Sequence, residues 1–284
     1  MADPTFVTQY VEDQIATFEQ RYSLLRVACV QKTIKKGGSL VFQVSGSGNA
    51  TAVTRGSSGE IPYFSTDNTQ NTCTLVEDHA PFRRTGFNIF ATQGDMVAEM
   101  HEDAVATLNR AIDQAIITQL DTATQDTGSS TPATVQLVMH ARTILSNNKV
   151  DMTNPDMIYG VVSPGFMAYL MQAKEFSSKE YVDVQPFTGP ARRMLRWLGI
   201  NWIEHQALSG SVGAGGAGTS EKCYLLHRNA IGHAANSKEM EVKVGYNEEQ
   251  DWTFARAALW HGSKLLQNTG IVQMLHDSGA FVAS

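Results

Sequence analysis

Cysteine is scarce in this chain, and its spacing excludes the usual cysteine frameworks. The 284 residues contain three cysteines, which stand far apart as Cys29, Cys73 and Cys223. An odd, scattered set provides neither a disulfide framework nor the paired spacing of a zinc site. The sequence therefore predicts a protein that is made and kept in a reducing cytoplasm, at least until it assembles.

Long apolar runs and a surplus of basic charge are also missing. No apolar stretch approaches the roughly 20 residues that span a bilayer, and the first residues, MADPTFVTQY, lack the pattern of a signal peptide. The net charge of -6 argues against strong nucleic-acid affinity, because phosphate neutralisation needs clustered Lys and Arg. The densest basic group, Arg192, Arg193 and Arg196, fits a solvated helix face or a subunit contact.

Two glycine-rich segments fall short of nucleotide-binding motifs. Gly46-Ser47-Gly48 lacks the third glycine and the following helix of the dinucleotide fingerprint. Residues 209–218 lack the Gly-Lys-Ser or Gly-Lys-Thr of a phosphate loop, and we predict a flexible surface loop there.

Other motifs that carry chemistry are absent as well. The eight histidines form neither a His-x-x-x-His pair nor a His-Glu-x-x-His site, and no Gly-x-Ser-x-Gly elbow occurs. Asp121 and Asp126 lie in a polar stretch without the calcium-loop pattern. A triad built from residues distant in sequence stays open. We predict that the protein is not an enzyme and has no catalytic, cofactor-binding or metal site.

The sequence does contain enough apolar material for a folded core. Apolar residues make up 42% of the chain and charged residues 18%, the balance of a globular protein. This length suits one large domain or two moderate ones. Residues 6–27 carry apolar side chains at helical spacing and predict an amphipathic helix. This helix either packs on its own core or lies as an arm on a neighbour.

Residues 32–73 have a different character. Leu40, Phe42 and Val44 recur at every second position, which predicts a strand. Gly, Ser and Thr dominate the rest of the segment, where turns separate two further extended stretches, 51–54 and 61–64. Such a segment cannot bury enough surface to stand alone, so we expect another subunit to stabilise it. Strands at 73–76 and 87–90 are predicted to lead back into a core.

The strongest helix pattern covers residues 95–120. Gly94 and Asp95 supply its start, and the acidic side chains, Asp113 included, are expected mostly off the apolar face. At 1.5 Å per residue the helix is about 40 Å long. This is long for a globular protein, whose helices average about 11–12 residues. The predicted apolar stripe consists of Met96, Met100, Ala104, Leu108, Ile112, Ala115 and Ile116.

Helices and strands alternate after this helix and predict an α/β unit, followed by a β-rich end. One predicted helix begins at Thr131-Pro132 and ends at Asn147-Asn148. A second covers 165–174 after a Ser163-Pro164 cap, and a third covers 192–198. Predicted strands cover 157–162, 200–204, 224–226, 240–244, 252–260 and 271–275.

This order of parts resembles the major capsid proteins of tailed bacteriophages, which have the Hong Kong ninety-seven type of fold. Four stretches strengthen the resemblance, although each is degenerate and their order carries the signal. They resemble the family's axial-domain strand and helix, its later short helix and strand, a further strand and turn, and its closing strand. The stretches are Ile158-Tyr159-Gly160-Val161-Val162-Ser163-Pro164, Arg196-Trp197-Leu198-Gly199-Ile200-Asn201-Trp202-Ile203, His227-Arg228-Asn229-Ala230-Ile231-Gly232-His233-Ala234 and residues 262–274.

The resemblance implies an α+β fold of the phage major-capsid type. Its parts would be an N-terminal arm, an extended β-loop, a peripheral domain with a long spine helix, and an α/β axial domain. The corresponding residues are 1–31 for the helical arm, 32–75 for the β-loop, 76–130 for the peripheral domain with its spine helix at 95–120, 131–236 for the axial domain, and 237–284 for a β-rich return to both domains.

The resemblance also implies function and partners. Copies of a major capsid protein assemble as pentamers and hexamers into an icosahedral head around double-stranded DNA, without sequence-specific DNA binding and without a membrane. Separate scaffolding, portal or decoration proteins are expected partners. Because helical sequence begins close to Met1, assembly is expected to be guided by a separate scaffolding protein or by none. The expected location is the virion, after assembly in the host bacterial cytoplasm. Lys35 and Lys36 match no cross-linking position, so no cross-link is predicted.

Three alternatives remain open at this point. An encapsulin-like nanocompartment shares the fold but encloses enzymes. A nucleotide-using α/β enzyme would form a small oligomer that its ligand stabilises. A tail-tube subunit would form stacked rings or tubes instead of closed shells.

Overall fold

The computed structural model describes residues 20–46, 50–91, 95–173 and 195–282. Its strands are β1 (Val30–Ile34), β2 (Ser39–Gly46), β3 (Asp67–Thr74), β4 (Val76–Thr85), β5 (Ile158–Val162), β6 (Leu195–Trp197), β7 (Ile200–Glu204), β8 (Glu221–His227), β9 (Ile231–Asn247), β10 (Trp252–Leu265) and β11 (Ile271–His276). Its α-helices are α1 (Gly86–Ala91), α2 (Met96–Leu120), α3 (Val135–Asn147), α4 (Pro164–Gln172) and α5 (Gly279–Val282).

A four-stranded mixed sheet lies beside the long helix α2. Its strands follow the order β1-β9-β10-β4, with β1 parallel to β9 and the other pairs antiparallel. Alternate side chains of β10, among them Ala257 and Leu259, join the buried core, so one face of the sheet packs on α2. The opposite face points away from the helix.

Helix α2 confirms the helix predicted at 95–120. Asp95 caps its start, because one carboxylate oxygen accepts hydrogen bonds from the backbone N–H groups of Val97 and Ala98, both at 3.1 Å. The predicted stripe faces the core, with Ala115 half-buried. Gly94 lies outside the described residues. Asp113 departs from the prediction, since it is buried as well.

A five-stranded mixed sheet, in the order β11-β8-β5-β7-β6, forms the second layer. Every residue of β5 is buried, as the apolar run at 157–162 predicts. Gly160 allows Trp202 to lie flat on this strand, because an added Cβ would stand 2.7 Å from the indole ring. Ser163 caps α4 by accepting a hydrogen bond from the N–H of Phe166 at 3.1 Å. Strands β7, β8, β10 and β11 likewise confirm their predictions, and the mixture of helices and sheets confirms the α+β class.

Two short elements were predicted with the wrong type. Residues 87–90 form part of helix α1 instead of a strand, because the Thr85 hydroxyl accepts a hydrogen bond from the N–H of Asn88 and starts a helical turn. Residues 195–197 form strand β6 instead of a helix. The reason is the two-residue turn Leu198-Gly199, whose positive φ angles of 54° and 71° match a tight hairpin. Residues 192–194 lie outside the described part of the chain.

Helix α3 begins later than predicted at Thr131-Pro132. The N–H of Thr131 donates to the carbonyl of Leu275 at 3.4 Å, so this residue extends the second sheet and cannot start a helix. Thr134 caps the helix instead, accepting from the N–H of Leu137 at 3.2 Å. The predicted stop at Asn147-Asn148 is confirmed.

The helix predicted at 6–27 is wrong where the structure describes it. Residues 20–24 are irregular, and a short 3-10 helix, Leu25–Ala28, follows. The N–H groups of Leu24 and Leu25 donate to the buried Asp113 carboxylate and are therefore not available for helical hydrogen bonds. Residues 6–19 lie outside the described residues.

Two loop predictions also change. Residues 51–54 and 61–64 form no strand. The strand predicted at 73–76 is interrupted at Leu75, because residues 73–74 end β3, which pairs along its whole length with β2, and Val76 begins β4. The segment 209–218 folds into a compact turn instead of a flexible loop. Gly210 has a φ of 80°, and a Cβ there would stand 2.2 Å from the carbonyl oxygen of Ser220, so the turn packs closely on its neighbours.

Candidate assembly surface

The β2–β3 hairpin leaves the body of the subunit and carries a long exposed connection. Its strands pair antiparallel from Ser39 opposite Thr74 to Gly46 opposite Asp67. Every described residue from 50 to 70 is exposed to solvent. A two-stranded ribbon with no covering surface is marginally stable in water. The hairpin therefore has the form of a segment that is completed by another surface.

The base of this hairpin, in contrast, belongs to the subunit core. Phe42 and Cys73, one from each strand, form a small buried cluster with Ile34 and Ala234. Gly232 of β9 makes room for the aromatic ring, since a Cβ there would stand 2.8 Å from Phe42 Cζ. The fixed base sets the direction in which the exposed part projects.

Large apolar side chains are exposed in two short segments. In the hairpin connection, Tyr63 is 96% exposed, and in α1, Phe90 is 88% exposed. Single exposed apolar residues are common, but clusters of this kind mark interaction sites. The other members are Val53, Ile61 and Phe64 in the connection and Phe87 in α1.

A buried carboxylate ties the first described residues to helix α2. Asp113 is 1% exposed. Its oxygens accept hydrogen bonds from the Ser23 hydroxyl at 2.6 Å and from the N–H groups of Leu24 and Leu25 at 3.0 and 3.2 Å. The entry of the N-terminal segment into the fold is thus fixed by one side chain of the long helix.

The same carboxylate also reaches the second sheet. His205, which follows β7, places its Nε2 atom 3.2 Å from Asp113 Oδ2, and both residues are buried. Burial raises the pKa of Asp113, but the hydrogen bonds from His205 and Ser23 outweigh it and hold this pKa below its ordinary value. Asp113 therefore stays ionised and joins three separate parts of the chain.

A serine, a histidine and a carboxylate do meet in space, but not as a catalytic triad. The Ser163 hydroxyl donates to the Glu221 carboxylate, as does the Ser278 hydroxyl at 2.6 Å. His276 Nε2 lies 3.8 Å from Glu221 Oε2. All four side chains are buried. A nucleophilic serine needs a hydrogen bond to the histidine and access to substrate, so this cluster is a structural polar network.

The cysteines do not form a reactive or metal-binding site. Burial raises the pKa values of the Cys29, Cys73 and Cys223 thiols, that of Cys223 to about 12, which favours unreactive thiols. Within the described residues, no group of three or more His, Cys, Asp or Glu side chains is placed to hold a metal ion. The helices in the described ranges are too short or too polar to cross a membrane.

The glycine-rich segments also lack the context of a phosphate site. Gly46 ends strand β2, and residues 47–49 lie outside the described part of the chain. The segment 209–218 leads into strand β8. A phosphate loop must lead into the N-terminus of a helix, whose N–H groups bind the anion.

Solved structures with a similar fold include phage capsids. The chain matches a structure from Mycobacterium phage Che8 with a TM-score of 0.73 at 14% identity, covering 96% of this chain and 98% of that chain. It matches the capsid of Ralstonia phage GP4 with a TM-score of 0.71 at 10% identity, covering 96% and 95%, and that of cyanophage P-SCSP1u with 0.70 at 11%, covering 96% and 93%. At such identities the likeness concerns the fold, which is that of phage capsid subunits.

The family is shown by sequence. A family model described as phage capsid protein matches residues 2–278, and the chain therefore belongs to the phage capsid protein family. No curated protein sequence matches the chain. The protein is a structural subunit of a virion capsid, built from many copies, which confirms the resemblance found in the sequence.

Proposed function

We propose that copies of this chain assemble as pentamers and hexamers, and that the β2–β3 hairpin of each subunit lies over an adjacent copy. The observation that carries this proposal is the exposure of the whole segment 50–70 above a fixed base. Strand edges without partners and exposed apolar side chains both favour association. Heterologous contacts that repeat around closed rings generate a shell.

The proposal includes partners and location. The shell encloses double-stranded DNA without sequence-specific contacts, which the net charge of -6 supports, and it forms in the host cytoplasm with separate scaffolding, portal or decoration proteins. The role is structural and not enzymatic. We also propose that residues 76–130, with β4 and α2, form the peripheral domain and that residues 131–236, with β5 to β8, form the axial domain. Residues 237–284 return to both domains, with the arm at 1–31 and the β-loop at 32–75.

Negative-stain electron microscopy of the purified protein tests this proposal. Closed shells of uniform size are the expected result. Stacked rings or tubes would assign the chain to another phage structure, and a compact monomer at high concentration would contradict self-assembly. Co-purifying cargo enzymes inside the shells would favour a nanocompartment.

A further inference from the structure

The compact turn at 209–218 is built from residues that favour an open loop. Five of its ten residues are glycine, and Gly210, Gly215 and Gly218 hold φ angles of 80°, 78° and 75°. Glycine loses more conformational freedom on folding than any other residue. Residues 212–215 and 217 are exposed, so burial of their side chains adds little stability. The closed form of the turn therefore needs support from its surroundings.

The first end of the turn is anchored at the end of helix α2. The Ser209 hydroxyl donates to the carboxylate of Asp121, which follows α2, at 2.5 Å. The Ser209 carbonyl accepts from the N–H of Lys222 at 2.9 Å. Within the turn, the N–H of Gly218 donates to the carbonyl of Gly210 at 3.3 Å. This last hydrogen bond is long, so the position of Gly218 depends on contacts from outside the turn.

The segment that follows β11 anchors the second end of the turn. We call residues 277–280 the strap. The N–H of Ser278 donates to the Gly218 carbonyl at 2.6 Å. The Ser278 hydroxyl donates to the buried Glu221 carboxylate at 2.6 Å and lies 3.3 Å from the same Gly218 oxygen. One serine thus ties the turn to the buried polar network of Ser163 and Glu221.

The strap itself is held by few contacts. The N–H of Asp277 donates to the carbonyl of Thr131 at 3.1 Å. Ser278 packs closely against Gly165 of α4, where an added Cβ would stand 2.7 Å from the Ser278 Cβ. Ser278 is buried, but Ala280, two residues further on, is exposed. A segment with one buried side chain and few hydrogen bonds opens at a lower free energy than the sheets do.

We propose that the strap is a latch on the glycine-rich turn. While Ser278 is in place, residues 209–218 stay closed, and when the strap detaches they become the mobile loop that their composition favours. A local order–disorder element of this kind shifts with any partner that binds one of its two forms better than the other. The latch operates within one subunit, so the inference goes beyond the proposed assembly and does not depend on it.

Hydrogen exchange of unassembled subunits in low concentrations of urea tests the latch. The amides of Gly216 and Gly218 donate within the turn. Because local opening exposes little surface, these amides should exchange faster than the slowest amides of β5 and with little dependence on urea. Ser278→Ala, and separately Gly165→Ala, which crowds Ser278 out of its place, should each make them exchange about tenfold faster, the effect of losing one hydrogen bond to a charged group.

Ser220→Ala is the matched control, since Ser220 is an exposed serine two residues after the turn. It should leave the exchange of the turn amides unchanged, and a rise equal to that of Ser278→Ala would overturn the proposal. Unchanged exchange in both test variants would show that the turn opens without the strap, with the same consequence. Turn amides that exchange together with those of β5, and with the same urea dependence, would mean that the turn opens only on global unfolding and would also rule out the latch.

Discussion

A carboxylate inside an apolar interface is costly unless its oxygens are occupied, and Asp113 meets that condition. Five donors surround it: the side chains of Gln20, Ser23 and His205 and the N–H groups of Leu24 and Leu25. These donors come from the N-terminal segment and from the end of β7. One residue of α2 thus holds together segments that are about 90 residues away on either side.

Asp113→Asn should lower the free energy of unfolding by about 3 kcal/mol, because several donors lose a charged acceptor and the amide brings two further donors. Urea unfolding of unassembled subunits measures this change. Glu99→Gln is the control, since Glu99 is exposed on the same helix, and it should change stability by less than about 0.5 kcal/mol. Equal stability of the two variants would show that Asp113 does not hold the N-terminal segment.

His233 makes stability depend on pH. Burial, with the nearby His261 ring and Arg26, lowers the pKa of His233 to about 4, so the folded state binds fewer protons than the unfolded state between pH 4 and 6.5. The stability that this group contributes is fully present above its pKa in the unfolded state, near 6.5, and is lost as pH falls towards 4. His233→Gln should therefore reduce the slope of unfolding free energy against pH in this window. A slope that is identical in the unaltered protein and in His233→Gln would contradict the assignment.

At the scale of elements, the β2–β3 hairpin divides into a base that the subunit needs and an outer part that it does not. Phe42 is buried at the base, whereas residues 50–70 contact solvent throughout. Helix α1 shows the same separation, because it adds two exposed phenylalanines to the rim of the four-stranded sheet without burying them. Elements with little burial of their own are the ones we expect to act between subunits.

Deleting residues 45–59 should leave a soluble, folded subunit that no longer closes shells. The described residues that the deletion removes, 45–46 and 50–59, are exposed, so the melting temperature should change by only a few degrees. Circular dichroism and electron microscopy measure the two outcomes separately. Phe42→Ala provides the contrast, because it removes a buried side chain from the base of the hairpin and should lower the free energy of unfolding by about 3 kcal/mol. Outright unfolding of the deletion variant would place the segment in the core and end the proposal.

At the scale of the whole molecule, the two sheets share one buried core. A single hydrophobic cluster includes Ala80, Ala257 and Leu259 of the four-stranded sheet together with Trp202 and Tyr224 of the five-stranded sheet. Helix α2 contributes to it along much of its length. A continuous core of this kind favours cooperative unfolding of both sheets.

Gly160→Ala tests this cooperativity. Its Cβ would meet the Trp202 ring at 2.7 Å in the buried strand β5, and the overpacking should cost about 2 kcal/mol. Hydrogen exchange should show equal loss of protection in the slowest amides of β5 and β10, since both would exchange through the same global unfolding. Gly38→Ala has open space around its Cβ and should change neither sheet. Loss confined to the five-stranded sheet would mean that the sheets unfold separately.

The local pattern of the sequence determined most long elements of this protein. The structure of these elements follows from spacing and propensity, because it depends on residues that are close together in the sequence. Examples are the apolar stripe of α2, the capping residues Asp95 and Ser163, and the apolar run of β5. The order of these elements was enough to indicate the capsid fold.

Only the tertiary structure decided the rest. In the sequence Asp113 looks like an ordinary polar position of a helix, and only the folded structure brings Ser23 and His205 to its carboxylate. Leu198 takes a positive φ because β6 pairs with β7. Strand register likewise brings Lys243 and Arg256 into opposition. Contacts between residues far apart in the chain depend on how the elements pack, and no local pattern encodes that packing.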